Sequence, residues 1–422
     1  MKTGFQDKKC GLIGEKLGHS FSTLIHNELA DYSFVLRELP PSEVEAFVNS
    51  RELDAYCVTI PYKKTVMPFL DEISDAAKAI GAVNVVVNSP DGKKYGYNTD
   101  YFGFDYMIES SNISVRGKKA IVFGTGGASA TVCTVLRDKG VSELIVIGIE
   151  DNTPENLSKH SDARIIVNAT PVGMYPKNGN SPVDLALFPS CEAVFDVVYN
   201  PARTELILQA ERRGIVAVGG LSMLVAQAAK GFEHFTGDSY EEGCIEKITA
   251  LISKQTRNVV LIGMPGCGKS TVGKLLAKVL GREFFDADEE FTRMHGITPA
   301  DAINTLGEER FRAMEHEVLL ELGKKSSTVI ATGGGAVTKE YNYAPLHQNG
   351  TIVFLERDLD KLSSAGRPLS QKTSPEELYA KRLPAYQSFA DLTVKSTEIP
   401  EATADAIKSA LDTYNYTCIF KK

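Results

Sequence analysis

Cysteine is sparse and scattered. The seven residues at 10, 57, 133, 191, 244, 267 and 418 never form a Cys-x-x-Cys pair, which argues against a disulfide framework or a structural zinc site and for reduced thiols in the cytoplasm. The seven histidines do not cluster and no His-Glu-x-x-His occurs, so a histidine-rich catalytic metal site is not expected. No apolar stretch approaches the ~20 residues that span a bilayer, and the opening segment Met1–Lys9 lacks the apolar core of a secretory leader. No run of like charge stands out and the net charge is −8, which disfavours nucleic acid or an acidic membrane as partner. Anionic ligands must then be met by local pockets.

What is present is an ordinary globular composition, 43% hydrophobic and 24% charged, over 422 residues. At about 150 residues per domain that length holds two or three cores. The best boundary is the polar stretch Ser253-Lys254-Gln255-Thr256-Arg257. Before it, short apolar runs alternate with amphipathic segments: strands near Lys9–Ile13, Phe34–Leu36 and Tyr56–Ile60, helices near Ser22–Asp31 and Pro41–Asn49, the second with a capping box of Ser42 and Glu45. This is β–α–β order. Ser89-Pro90-Asp91-Gly92 reads as a hairpin turn, so the sheet is expected to be mixed. From Lys118 the pattern restarts with a strand, a glycine turn at Gly124–Gly127, a helix closed by Gly140 and a strand Glu143–Ile147, the opening of a dinucleotide-binding subdomain.

After the boundary, Gly263-Met264-Pro265-Gly266-Cys267-Gly268-Lys269-Ser270 fits G-x-x-x-x-G-K-[ST] between a strand and a helix. The glycines free backbone N–H groups for a phosphate, Lys269 adds a cation, and the Ser270 hydroxyl can ligate Mg²⁺. Asp286-Ala287-Asp288, Arg312 with Glu315, Gly333-Gly334-Gly335, Arg367-Pro368-Leu369 and Arg382-Leu383-Pro384-Ala385-Tyr386 follow in order. Together they closely resemble the shikimate kinases over about residues 257–415. The resemblance implies ATP on Gly263, Gly266, Cys267, Gly268, Lys269, Ser270 and Thr271, and Mg²⁺ supported by Ser270 and Asp286. It also implies shikimate held by Asp288, Arg312, Gly334, Gly335 and Arg382, with Arg367 closing from a lid and acting with Lys269 in catalysis. Each has a plainer reading: Arg312 and Glu315 form a helical ion pair at i,i+3, and Asp286 or Asp288 caps a helix. The stretch Asp360–Gly366 carries no arginine, where this family often has one packing on adenine.

In the first unit, Gly18-His19-Ser20-Phe21-Ser22 with His26-Asn27, Val58-Thr59-Ile60-Pro61-Tyr62-Lys63, Gly81-Ala82-Val83-Asn84 and Gly96-Tyr97-Asn98-Thr99-Asp100 lie at strand ends, where α/β crevices form. They offer hydroxyls, amides, a lysine and an aspartate, a set suited to a small polyhydroxylated acid. With Asn168-Ala169-Thr170-Pro171-Val172-Gly173-Met174, Val198-Tyr199-Asn200-Pro201 and Gly220-Leu221-Ser222-Met223-Leu224-Val225-Ala226-Gln227, they resemble shikimate dehydrogenase over nearly all of residues 8–250. The resemblance implies Ser20 and Ser22 on the substrate carboxylate, Thr59, Asn84, Asp100 and Gln227 on its hydroxyls, and Lys63 with Asp100 as the catalytic pair. It places the nicotinamide cofactor on Gly124, Gly126, Gly127, Ala128 and Gly220. Three departures stand out. Where the family has a basic motif for the 2′-phosphate of NADP, this chain reads Ile147-Gly148-Ile149-Glu150-Asp151, which suits the free ribose hydroxyl of NAD. The segment Asp151–Ala163 is too short for the usual helix and strand. Cys57 replaces the usual Asn.

The expected architecture is α/β throughout. A dehydrogenase-like unit spans 1–253, with a mixed-sheet substrate subdomain of about 1–103 plus 225–250 and a Rossmann-like nucleotide subdomain of about 104–224. A P-loop kinase unit with a parallel sheet spans 254–422. The expected ligands are 3-dehydroshikimate, shikimate and ATP, with Mg²⁺ and NADP or NAD. The competing expectation is a kinase joined to a shikimate-binding module that has lost its cofactor.

Overall fold

The computed structural model describes residues 1–18, 20–362, 374–417 and 419–420. The first sheet is built from β1 (Lys9–Gly14), β2 (Ser33–Glu38), β3 (Ala55–Val58), β4 (Glu72–Ile73), β5 (Val85–Asn88) and β6 (Lys94–Tyr97), in the order β2-β1-β3-β5-β6-β4. β1 is paired in parallel on both sides, and it is accordingly apolar and buried after Lys9. β5 and β6 form the expected antiparallel hairpin, with Gly92 at φ +91° in its turn. The capping box expected at Ser42 and Glu45 does not form. Pro41 sets a 3₁₀ turn over Pro41–Glu43, which takes Ser42 inside the turn, and the helix Val44–Ser50 opens without a side-chain cap.

The second sheet holds β7 (Lys119–Phe123), β8 (Glu143–Ile147), β9 (Ile165–Asn168), β10 (Ala193–Asp196) and β11 (Val216–Gly219), all parallel. Between Asp151 and Ala163 the chain makes only the helix Pro154–Ser158, so β8 is an edge strand. Apolar clusters lie on both faces of this sheet, as they do for the first, where the helix Leu221–Thr236 packs back onto β1, β3 and β5.

The third sheet is parallel: β12 (Asn258–Ile262), β13 (Glu283–Asp286), β14 (Thr328–Ala331), β15 (Gly350–Glu356) and β16 (Leu392–Lys395), in the order β13-β14-β12-β15-β16. The polar boundary stretch is the last turn of the helix Cys244–Thr256, and Arg257 alone separates it from β12. The last strand, β17 (Ile419–Phe420), leaves the third unit and pairs antiparallel with β11. Phe420 is buried in the core of the second sheet, with the guanidinium of Arg203 4.7 Å above its ring, and Arg257 donates to the Thr417 carbonyl at 2.8 Å. Tyr175 to the Gly323 carbonyl (2.5 Å), Asn178 to Gln348 (2.7 Å) and the Arg203 amide to the Gln348 carbonyl (2.8 Å) join the units further.

Candidate active sites

The first site lies where β3, the β6 end and the helix Leu221–Thr236 meet. Gly103, one turn into the helix Asp100–Ser110, is what lets the two helices approach. A Cβ there would stand 2.6 Å from the Met223 carbonyl oxygen and 3.1 Å from the Gln227 Cβ. The approach places Gln227 beside Asp100. Asn84 joins them: its Nδ2 donates to Asp100 Oδ1 (2.9 Å), Thr99 Oγ1 (3.0 Å) and, at 3.4 Å, Gln227 Oε1, while its Oδ1 accepts from the Thr99 amide at 2.7 Å. The other Asp100 oxygen receives the Lys63 ammonium at 2.5 Å, both side chains being largely buried. A charge-assisted bond to one carboxylate oxygen fixes the direction of the ammonium.

Ser20 Oγ donates to Ser22 Oγ at 3.0 Å and accepts from the Ser22 amide, at the start of the helix Ser22–Leu29. Thr59 follows β3, its methyl packed where a Cβ on Gly14 would stand at 2.7 Å. Between Ser20 and Ser22, Phe21 meets the ring of Tyr199 from the loop after β10, with centroids 5.2 Å apart, so an aromatic pair bridges the two subdomains. His26 and Cys57 lie together in the apolar cluster under the first sheet and bond to none of these polar groups. His26 is buried, stacked on Phe34 and bonded to Tyr32 Oη at 2.6 Å, and burial lowers its pKa to about 3. Cys57 sits 3.8 Å from His26 Nε2 in the same apolar cluster, its thiol pushed up by burial.

Beside this crevice, Gly124 (φ +115°) turns the chain from β7, and no atom lies within 4 Å of a Cβ position on Gly126 or Gly127. Their N–H groups open the helix Gly127–Asp138, which also carries Ala128, leaving an open cradle for a pyrophosphate. Gly220 follows β11, where any Cβ would collide with the Val197 carbonyl at 2.2 Å. At the end of β8 a Cβ on Gly148 would stand 3.3 Å from Asp151 Oδ2 and 3.5 Å from Thr125 of the glycine turn; Ile149 is fully exposed. A carboxylate therefore borders the turn, and no cation replaces the missing basic motif at 148–151.

The second site is the phosphate loop. Gly263, Gly266 and Gly268 have φ of +146°, +84° and +99°. The Lys269 ammonium, buried, folds onto the Gly263 and Met264 carbonyls at 2.9 and 3.0 Å, with Cys267 fully buried beneath. Ser270 and Thr271 are exposed on the first turn of the helix Lys269–Leu280. Ser270 Oγ donates to Asp286 Oδ2 at 2.5 Å, and the second Asp286 oxygen caps the next helix at the Asp288 amide (3.0 Å). A hydroxyl and a carboxylate side by side are a hard, all-oxygen donor set of the kind Mg²⁺ takes.

Across from the loop, Arg312 Nη1 donates to Glu315 at 2.8 Å and Nη2 to Glu308 at 3.2 Å. Burial holds the Glu315 carboxyl above its usual range against the pull of Arg312. The triple glycine fits around them. Added Cβ atoms would stand 2.7 Å from Glu315 Oε1 at Gly333, 2.6 Å from the Pro265 ring at Gly334, and 2.2 Å from Arg312 Nη2 at Gly335. The same Gly333 position lies 3.3 Å from Asp288 Oδ1, so Asp288, Glu315 and Arg312 ring one hollow. Arg382 Nη1 (3.1 Å) and Tyr386 Oη (2.5 Å), one helical turn apart, both donate to the Gly334 carbonyl. Arg367 lies outside the described residues.

Two family models match the chain. The shikimate dehydrogenase substrate binding domain covers residues 12–86, and shikimate kinase covers residues 265–412. The NADP(+) shikimate dehydrogenase of Caldanaerobacter subterraneus is 35% identical over 59% of this chain and 99% of its own length, and that of Clostridium beijerinckii is 38% identical over 53% and 90%. The chain belongs to the shikimate dehydrogenase family and carries a shikimate kinase domain. Among solved structures, a chorismate mutase/shikimate 5-dehydrogenase fusion protein from Clostridium acetobutylicum superposes with TM-score 0.56 at 33% identity, over 60% of this chain and 98% of that one. Shikimate 5-dehydrogenase of Thermus thermophilus, in complex with NADP(H) and shikimate, gives 0.50 at 30% identity over 57% and 97%.

The structure joins Lys63, Asn84, Asp100 and Gln227 in one network, while Thr59 after β3 packs on Gly14 and Ser20 and Ser22 bond to each other. It gathers Lys269, Ser270, Asp286, Asp288, Arg312, Gly334, Gly335 and Arg382 around the kinase loop. Three further residues join these sites. Thr99 ties Asn84 to the active helix, Tyr199 meets Phe21 across the subdomains, and Tyr386 clamps the Gly334 carbonyl. Thr99, Tyr199 and Tyr386 all lie inside recognisable motifs, but their contacts span 15 or more residues and left no local signal of their own.

Proposed function

We propose that the chain runs two consecutive cytoplasmic reactions. Residues 1–253 interconvert 3-dehydroshikimate and shikimate with a nicotinamide cofactor, and residues 254–422 phosphorylate shikimate at its 3-hydroxyl with ATP. The observation that carries the reading is the Lys63–Asp100 pair, set at 2.5 Å within a buried network of Asn84, Thr99 and Gln227. In the reducing direction a nicotinamide cofactor, when bound, would supply hydride for the C3 carbonyl carbon. Lys63 gives a proton to the oxygen as its negative charge develops, and Asp100 keeps Lys63 charged and aimed until then. Ser20 and Ser22 bind the substrate carboxylate and Thr59, Asn84 and Gln227 its hydroxyls. Gly124, Gly126, Gly127, Ala128 and Gly220 would hold the cofactor. NAD is the better fit, because Glu150 and Asp151 at the end of β8 repel a 2′-phosphate.

In the kinase half the 3-hydroxyl oxygen displaces ADP at the γ-phosphorus, its proton passing to the side of Asp288. Arg312 and Arg382 hold the shikimate carboxylate, while Gly334 and Gly335 let the backbone come close. Lys269 leaves the loop carbonyls for the β/γ-phosphates, Ser270 and Asp286 would hold Mg²⁺ against them, and Arg367 would add charge from the lid.

The deciding experiment is nicotinamide reduction by the full chain with shikimate, using NAD⁺ and NADP⁺ in parallel, alongside ADP release with shikimate and ATP. Turnover that vanishes in Lys63→Ala is expected, with NAD⁺ preferred. Kinase turnover without any reduction would favour the second reading, a kinase fused to a shikimate-binding module, to which the bare edge strand β8 also points.

A further inference from the structure

The chain lacks an arginine between Asp360 and Gly366, yet it places one elsewhere beside the phosphate loop. Arg357 directly follows β15, and its Nη1 lies 3.6 Å from the position of a Cβ on Gly268, the glycine that opens the helix Lys269–Leu280. Its Nε is buried and bonded to nothing among the described residues. The carboxylates around it are committed to other groups: Glu356 to Tyr379 Oη at 2.9 Å, Asp358 to Lys395 at 3.0 Å, and Glu398 to Lys361 at 2.9 Å. Among the described residues no carboxylate pairs with Arg357. Asp358 and Glu398 feel the charge of Arg357 but are bonded elsewhere, so a partly buried guanidinium held against a phosphate loop is left to bond an anionic ligand.

We propose that Arg357 is an ATP-binding residue of the kinase half, its guanidinium donating to the phosphate oxygens seated on the loop at Gly268. The proposal rests on the kinase reading and names a residue that reading does not use. The glycine at 268 serves it twice, through the positive φ of the loop and through the space a side chain would take from the guanidinium. Arg357 thereby supplies nucleotide affinity from the strand end.

The test compares the full-length chain with Arg357→Gln and Arg357→Lys. The readouts are the KM for ATP, the KM for shikimate, kcat, and ADP binding by calorimetry. Loss of a charge-assisted contact should raise the ATP KM and the ADP Kd of Arg357→Gln by about tenfold or more. Its kcat and shikimate KM should stay within about twofold. Arg357→Lys should recover part of the loss, since an ammonium keeps the charge but not the fork. An unchanged ADP Kd in Arg357→Gln overturns the proposal, as does an equal rise in both KM values with a lowered Tm, which would mark a structural role. Absence of shikimate-dependent ADP release from the unmodified chain would instead sink the kinase reading, and the calorimetry would still decide whether Arg357 binds nucleotide.

Discussion

The Lys63 ammonium lies 2.5 Å from one oxygen of Asp100 while Asn84 holds the other at 2.9 Å. The lysine is thus aimed and shielded, the arrangement that proton donation to a developing alkoxide needs. Lys63→Ala should lower the dehydrogenase kcat by about 10²- to 10⁴-fold. Shikimate-dependent ADP release, measured on the same preparation, should not change. Equal loss of both activities would show that the variant disturbs the fold.

Cofactor choice should turn on the end of β8. Replacing Ile149 by Arg and Glu150 by Ser exchanges an acid for a base beside the glycine turn, so the NADP⁺/NAD⁺ ratio of kcat/KM should rise by about tenfold or more. A ratio that does not move would mean the 2′ position is read by some other part of the subdomain.

Gly335 has a different role from the glycines of the phosphate loop. A methyl at this position would stand 2.2 Å from Arg312 Nη2, so Gly335→Ala must push the guanidinium out of its pairing with Glu315 and Glu308. The shikimate KM of the kinase should rise by about tenfold or more, with the ATP KM nearly unchanged. Initial-rate kinetics with each substrate varied in turn would check this.

Much of this was legible in the sequence. The strand–turn–helix at Gly263–Ser270 and the hairpin around Gly92 follow from periodicity and turn residues, because the information is local, whereas the Lys63–Asp100 pairing comes with the resemblance to the family rather than from any pattern of its own. Ser42 misled because Pro41 tightened the turn before a cap could form. The approach that Gly103 permits between two helices, and the pairing of β17 with β11, join residues far apart in the chain. No window of sequence contains both partners, and Ile419–Phe420 is too short to show strand periodicity at all.

Phe420 is buried under the second sheet, with Arg203 over its ring. Phe420→Ala should destabilise the dehydrogenase half by about 3 kcal/mol. In thermal inactivation the dehydrogenase activity should then fail at a lower temperature than in the unmodified chain. Coincident inactivation curves for the two proteins would contradict it.

Asp391 gives a pH signature. Burial opposes its charge, but His347, Arg203 and the Ile352 amide outweigh burial and hold its carboxyl down to about 2, against an ordinary 3.8. The folded state then stays ionised while the unfolded chain takes up a proton, so this contribution is complete above pH ~4 and is lost as the pH falls through about 2. Denaturant unfolding between those values should show Asp391→Asn losing about 2 kcal/mol less than the unmodified chain. Parallel slopes would rule this out.

β17 emerges from the ribosome long after β11, its partner. Until then the dehydrogenase sheet carries an open edge at β11, of the kind that recruits stray strands and aggregates. Finishing the kinase half is therefore also the step that seals the dehydrogenase half.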